Sequence, residues 1–128
     1  MMTSQELYDA ALVATKLAYP PYSNLFVGAV LETEDGTRYQ GANVEFASYG
    51  LTICAERTAL VKAVTDGHRS FRRVGVARSD GLPISPCGMC RHSMADFSPD
   101  MIVVYMGRDG LVERPLHELL PDTLIFED

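Results

Sequence analysis

All three cysteines of this 128-residue chain fall into two short motifs. One is Cys54-Ala55-Glu56, and the other, 33 residues after its cysteine, is Pro86-Cys87-Gly88-Met89-Cys90. Three thiolates fill three corners of a zinc tetrahedron and leave the fourth for water, whereas structural zinc sites usually close the shell with a fourth protein ligand. The pattern is that of a catalytic metal site. Glu56, two residues after the first cysteine, suits a proton carrier beside the open corner.

Simpler explanations compete with this one. The cysteines could be small buried hydrophobes, or Cys87 and Cys90 a redox dithiol. A thioredoxin-like pair normally stands alone near a βαβ unit and leaves Cys54 and Glu56 unexplained. A disulfide framework prefers an even cysteine count and a secretory context. Ligand type and number together favour one Zn2+ per subunit. Glu56 alone reads more readily as a helix N-terminal dipole partner; beside three candidate zinc ligands, the balance reverses and the catalytic reading wins.

Cys54 and Cys87 fall at or near expected helix starts, and Cys90 lies one turn after Cys87. Helix N-termini carry partial positive charge and unpaired N–H groups, which lower thiol pKa values and favour thiolate. Three thiolates with Zn2+ still sum to −1, so something must withdraw charge from the sulfurs. Arg57 and Arg91, each one residue past a candidate functional group, are the available side chains.

The elements that carry these residues alternate in type. Thr3 to Ala18 predicts a helix with one apolar stripe, capped by Ser4 and stopped by Pro20-Pro21. Leu25 to Thr33 and Thr37 to Val44 predict a hairpin around Glu34-Asp35-Gly36. Cys54 to Thr65 predicts a second helix ended by Gly67, Val74 to Ala77 a short buried strand, and Cys87 to about Phe97 a third helix. Met101 to Met106 and Leu111 to Glu113 predict two strands around a turn, and Pro115 to Leu120 a last short helix. Strands alternating with helices make an α/β sandwich around a mixed sheet of about five strands. A chain of this length is expected to form a single domain, residues 1–128.

Composition narrows the partners. Apolar content of 47% with no run of membrane-spanning length, and no basic segment leading into an apolar one at the N-terminus, points to a soluble cytoplasmic protein. The net charge of −6, with Lys16 and Lys62 the only lysines, disfavours a nucleic-acid partner, which draws its affinity from neutralised phosphates. Arg72-Arg73 is the densest basic pair and is expected at an exposed strand end. A small neutral substrate fits better.

Zinc held by three cysteines, or by a histidine and two, with a non-ligating glutamate is the recognised signature of the zinc deaminases. The match extends further. Tyr19-Pro20-Pro21-Tyr22-Ser23, Val27-Gly28-Ala29, Asn43-Val44-Glu45, the run from Ala47 to Arg57, Ser85 to Arg91 and Glu118-Leu119-Leu120-Pro121 together resemble the small cytidine deaminases in register over almost the whole chain. That resemblance implies a three-layer α/β/α sandwich, and hydrolytic deamination of cytidine and deoxycytidine in pyrimidine salvage. It implies that Glu56 moves a proton from water to ring N3 and then to the leaving amine, and that Arg57 faces the sulfurs. Arg91 remains divided between such a role and the helix surface. Asn43 and Glu45, two apart on one expected strand, would bind the ribose 3′-hydroxyl. Tyr49 would reach a neighbouring subunit's nucleoside, and the backbone near Ala55 and Ser85 would read the base edge. A homotetramer is implied by resemblance alone.

Several positions depart from the family pattern. Leu25 stands where a phenylalanine usually packs on the pyrimidine, followed by Phe26. Phe46 replaces an asparagine, His92 a glutamine, and Leu124 a second phenylalanine. Lost aromatic walls weaken stacking by about 0.5–1.5 kcal/mol each, unless Phe26, Phe46 or Phe126 restores them. A retuned pocket would accept a modified or antibiotic cytosine nucleoside of the blasticidin-S type. A non-catalytic zinc module would have no need of Glu56, and polynucleotide deaminases usually offer histidine as first ligand. His68, His92 and His117 lack ligand spacing to the cysteines.

Overall fold

The computed structural model describes residues 2–123; Leu124 and Phe126 lie outside them. Helix α1 (Ser4–Ala14) is capped by Thr3, not by Ser4. The Thr3 hydroxyl accepts from the Glu6 amide at 3.1 Å, and the Glu6 carboxylate accepts from the Thr3 amide at 2.9 Å. This reciprocal pair satisfies two otherwise orphaned donors. The helix is shorter than its apolar stripe, which continues as a 3-10 turn over Thr15–Leu17.

Five strands follow: β1 (Val27–Thr33), β2 (Arg38–Ala42), β3 (Phe71–Arg78), β4 (Ile102–Gly107) and β5 (Gly110–Pro115). They form one mixed sheet in the order β2-β1-β3-β4-β5, parallel only between β3 and β4. Three more helices, α2 (Ala55–Thr65), α3 (Gly88–Ala95) and α4 (Leu116–Leu119), complete the fold. Strand alternation sorts the core into two layers. Val27, Ala29 and Leu31 of β1 pack with Ala59, Leu60 and Ala63 of α2 and Met94 of α3. Val30 joins Leu7, Tyr8 and Ala11 of α1 on the other face. The expected α/β/α sandwich with a five-stranded mixed sheet is therefore observed.

Strand β3 is twice its expected length, because Arg72 and Arg73 lie inside it rather than at an exposed end. Arg73 pairs with Glu32 directly across the sheet through two bonds of 2.9 and 3.0 Å, the two side chains only 11% and 2% exposed. A buried guanidinium is tolerable when its fork meets a carboxylate in this way. Strand β5 is likewise longer, extended by its ladder to β4. Among the described residues, no helix is long and apolar enough to cross a membrane.

Candidate active site

Both metal-ligand motifs sit at helix starts. Cys54 is the N-cap of α2 and Cys87 the N-cap of α3, where the Cys87 sulfur accepts from the Cys90 amide at 3.4 Å. Helix α2 can bring Cys54 inward because its first turn lies on Gly41 of β2, where any side chain would meet the Ala55 and Ala59 backbone. Helix α3 carries Cys90 one turn on, fully buried.

The three sulfurs converge, all within 4.8 Å of one another. Cys54 and Cys87 are 3.5 Å apart, and Cys87 and Cys90 3.4 Å. Sulfurs about 2.3 Å from one tetrahedral centre would be separated by roughly 3.8 Å, so the cluster needs only slight opening to hold a zinc ion. The donor set fits as well. The thiol hydrogen bond from Cys90, then those from Cys87 and Arg57, hold Cys54 well below the ordinary thiol range, while the same contact pushes Cys90 up. The Arg57 guanidinium lies 4.0 Å from the Cys54 sulfur and is tied at 3.0 Å to the Thr52 carbonyl. Its Nε is buried with no hydrogen-bond partner among the described residues.

Glu56 follows Cys54 into the first turn of α2 and is 4% exposed. Burial pushes its carboxyl up to about 7, against the opposing influence of nearby backbone and Arg57. A buried carboxyl near neutrality can both take up and give back a proton.

A cavity of about 240 Å³ opens beside these groups. Cys54, Cys87 and Glu56 form its chemical end, and Asn43, Glu45, Ala55, Leu25 and Ser85, all expected from the sequence, line it too. Val27, Thr52 and Ile84 complete the described lining and were not foreseen. Alternation around Val27 could have found that residue, since Leu25 and Val27 point inward together. Phe26 between them does not line the cavity, and neither does Phe46, which is 43% exposed.

Asn43 and Glu45 lie just beyond β2 and do face the same cavity. Their hydrogen bonds also build its wall. Asn43 Oδ1 accepts from the Val27 amide at 2.9 Å, and Nδ2 donates to the Leu25 carbonyl at 2.8 Å. Glu45 accepts from the Tyr22 and Ser23 amides at 3.1 and 2.9 Å and from the Ser23 hydroxyl, which together hold its carboxyl below the usual range. Tyr49 lies apart from this cavity, 72% exposed on a 3-10 turn and edge-on to Tyr22. Arg91 does not face the sulfurs; its guanidinium goes to Pro86, Ser85 and Leu119. No histidine joins the cysteine cluster among the described residues.

A buried acid beside three clustered thiols, at two helix starts under a mixed sheet, defines a zinc-dependent hydrolytic deaminase. Residues 1–106 match the family model for the cytidine and deoxycytidylate deaminase zinc-binding region. A cytidine deaminase of Halalkalibacterium halodurans is 44% identical over 99% of this chain and 98% of its own length. The crystal structure of cytidine deaminase from Burkholderia pseudomallei superposes with a TM-score of 0.89 at 43% identity, covering 96% of this chain and all of that one. A blasticidin-S deaminase of Bacillus cereus is 33% identical over 91% of this chain and 88% of its own length. The chain belongs to the cytidine deaminase family.

Proposed function

We propose that this protein converts cytidine and deoxycytidine to uridine and deoxyuridine, releasing ammonia, as a pyrimidine-salvage enzyme of the cytoplasm. One observation carries the reading: the buried Glu56 carboxyl lines the same cavity of about 240 Å³ as Cys54 and Cys87, two members of the three-cysteine cluster. Zinc held by Cys54, Cys87 and Cys90 would supply Lewis-acid activation of water.

The remaining chemistry belongs to side chains. Glu56 takes a proton from the attacking water and passes it to ring N3 as the water oxygen bonds to C4. The resulting carboxylate takes the remaining proton from the new C4 hydroxyl and delivers it to the exocyclic amine as the C4–N bond breaks and the C4 carbonyl forms, so one water enters and one ammonia leaves. Burial suits Glu56 to this double duty. Arg57 offsets the negative charge of the thiolates, keeping the site electrophilic.

Sugar recognition falls to Asn43 and Glu45. The Asn43 amide spends one of its two hydrogens on Leu25 and can donate the other to a ribose hydroxyl. Glu45, anchored by three donors, keeps acceptor capacity for a hydroxyl proton. The backbone at Ala55 and Ser85, which line the cavity, would meet the base edge, and Leu25 its face. The net charge of −6 supports a free nucleoside over a polynucleotide. Residues 1–128 act as one catalytic domain, and by family resemblance four copies form a homotetramer in which Tyr49 serves a neighbouring pocket.

A second reading has its own support. No aromatic side chain lines the cavity among the described residues, with Leu25 where a ring is usual in the family. A wall without a stacking ring favours a modified cytosine nucleoside. A turnover panel of cytidine, deoxycytidine, 5-substituted and bulky analogues decides between them. Highest kcat/KM for cytidine or deoxycytidine supports the first reading; highest kcat/KM for a bulky analogue supports the second.

A further inference from the structure

We propose that Arg91 is a positioning residue that sets both the Cys87 donor and the Ser85 edge of the cavity by bracing them against the end of α4. The proposal rests on the deaminase reading above. It concerns placement of the site, not its charge.

Two separate segments, Ser85–Pro86 and the end of α4, meet one guanidinium. Arg91 Nε donates to the Pro86 carbonyl at 2.7 Å, Nη2 to the Ser85 hydroxyl at 3.1 Å, and Nη1 to the Leu119 carbonyl at 3.0 Å. The guanidinium is planar and its donors diverge at fixed angles, so three simultaneous bonds fix three acceptors relative to one another. Each acceptor matters differently. The Pro86 carbonyl belongs to the peptide that enters Cys87, so holding it holds the extended N-cap backbone (φ −68°, ψ 167°) that aims the Cys87 sulfur. Ser85 lines the cavity directly. Leu119 ends α4, where helix carbonyls lack intrahelical donors and commonly take them from a basic side chain.

The brace has a rigid base on each side. Arg91 sits in α3 one residue after the fully buried Cys90, and its amide donates to the Cys87 carbonyl at 2.9 Å. Leu119 packs against the core cluster shared by α2, α3 and the sheet. Between Ser79 and Cys87 the backbone amides of Ser79, Gly81 and Ile84 donate to the carbonyls of Phe26, Arg78 and Met106. Arg91 thus supplies side-chain control over the stretch just before Cys87. Lysine cannot substitute, because one ammonium on a flexible stem cannot reach three divergent acceptors as a fixed fork does.

The test uses full-length, zinc-loaded protein with Arg91→Lys, Arg91→Ala and Arg91→Gln. Three quantities are read: the rate of zinc release to a chromogenic chelator, kcat and KM for cytidine, and Tm. The expected result is about 10–100-fold faster zinc release with a comparable loss of kcat/KM that includes a raised KM. Ethylguanidinium at non-denaturing concentration should restore part of both in Arg91→Ala and neither in Arg91→Lys. Wild-type zinc release and KM in whichever variants fold, even with lowered Tm, overturn the proposal. Absence of turnover by the wild type of cytidine and of every analogue in the panel would instead overturn the deaminase reading, while the zinc-release comparison still judges Arg91.

Discussion

Gly41→Ala is a change outside the cavity that should cripple it. A Cβ at Gly41 would lie 2.5 Å from the Ala55 carbonyl oxygen and 2.5 Å from the Ala59 amide nitrogen. Those atoms are helix backbone and cannot swing aside. To restore ordinary contact near 3.5 Å, α2 and β2 must part by roughly 1 Å. Helix α2 carries Glu56 in its first turn and Cys54 at its cap, so that displacement is delivered straight to the chemistry. Overpacking of this kind costs about 1–3 kcal/mol, which lowers Tm by roughly 3–12 °C in a chain of this size. A misplacement of about 1 Å costs on the order of 100-fold in rate. Gly36→Ala separates the two effects. Gly36 has φ +90° with open space around its α-carbon, so the substitution strains only the β1–β2 turn, by about 1–2 kcal/mol. The assay is kcat/KM per bound zinc together with Tm for both variants. Gly36→Ala should lose Tm and keep activity, while Gly41→Ala loses both. Wild-type kcat/KM in folded Gly41→Ala would refute the idea that β2 seats the catalytic helix.

Other perturbations test separate parts of the account. Asn43→Ala removes bonds to the Val27 amide and Leu25 carbonyl and should destabilise by about 2–4 kcal/mol while raising KM for cytidine; an unchanged KM removes Asn43 from sugar binding. Arg57→Ala should lower zinc affinity and kcat about 10–100-fold, measured by chelator competition, and equal affinity would show that the thiolates need no cationic neighbour. Asp35 is held down to about 2 chiefly by the Thr33 hydroxyl, with the Thr37 amide adding to it. Because it titrates lower folded than unfolded, its contribution is present above about pH 4 and is lost as pH falls toward 2; chemical melts of Asp35→Asn across that window should show a flatter acid limb, and an identical limb contradicts the assignment.

The chemistry of this protein was far more legible than its walls. The cysteine spacing and Glu56 announced the metal and the acid because ligand type and local spacing are properties of short segments. Helix α2 was readable for the same reason, through Ala55, Ala59, Leu60 and Ala63. Strand β3 was half hidden, since Arg72 and Arg73 look like surface until Glu32, some forty residues away in sequence, is paired with Arg73 across the sheet. Asn43 presents the same difficulty. The family resemblance implied a ligand contact for it, but its bonds to Leu25 and Val27 depend on the folded hairpin. Phe26 looked like the replacement for a missing ring, yet it is Leu25 and Val27 that line the cavity. Arg91 was undecidable from sequence because Leu119 approaches it only after α4 docks.

Ammonia release by zinc-loaded Glu56→Gln is the most direct measurement of the central claim. The amide preserves size and leaves the three sulfur donors in place, but it cannot carry a proton between water, ring and amine. The account predicts one zinc per chain and a fall in kcat of about 100- to 10,000-fold. Undiminished ammonia release from that variant would contradict it.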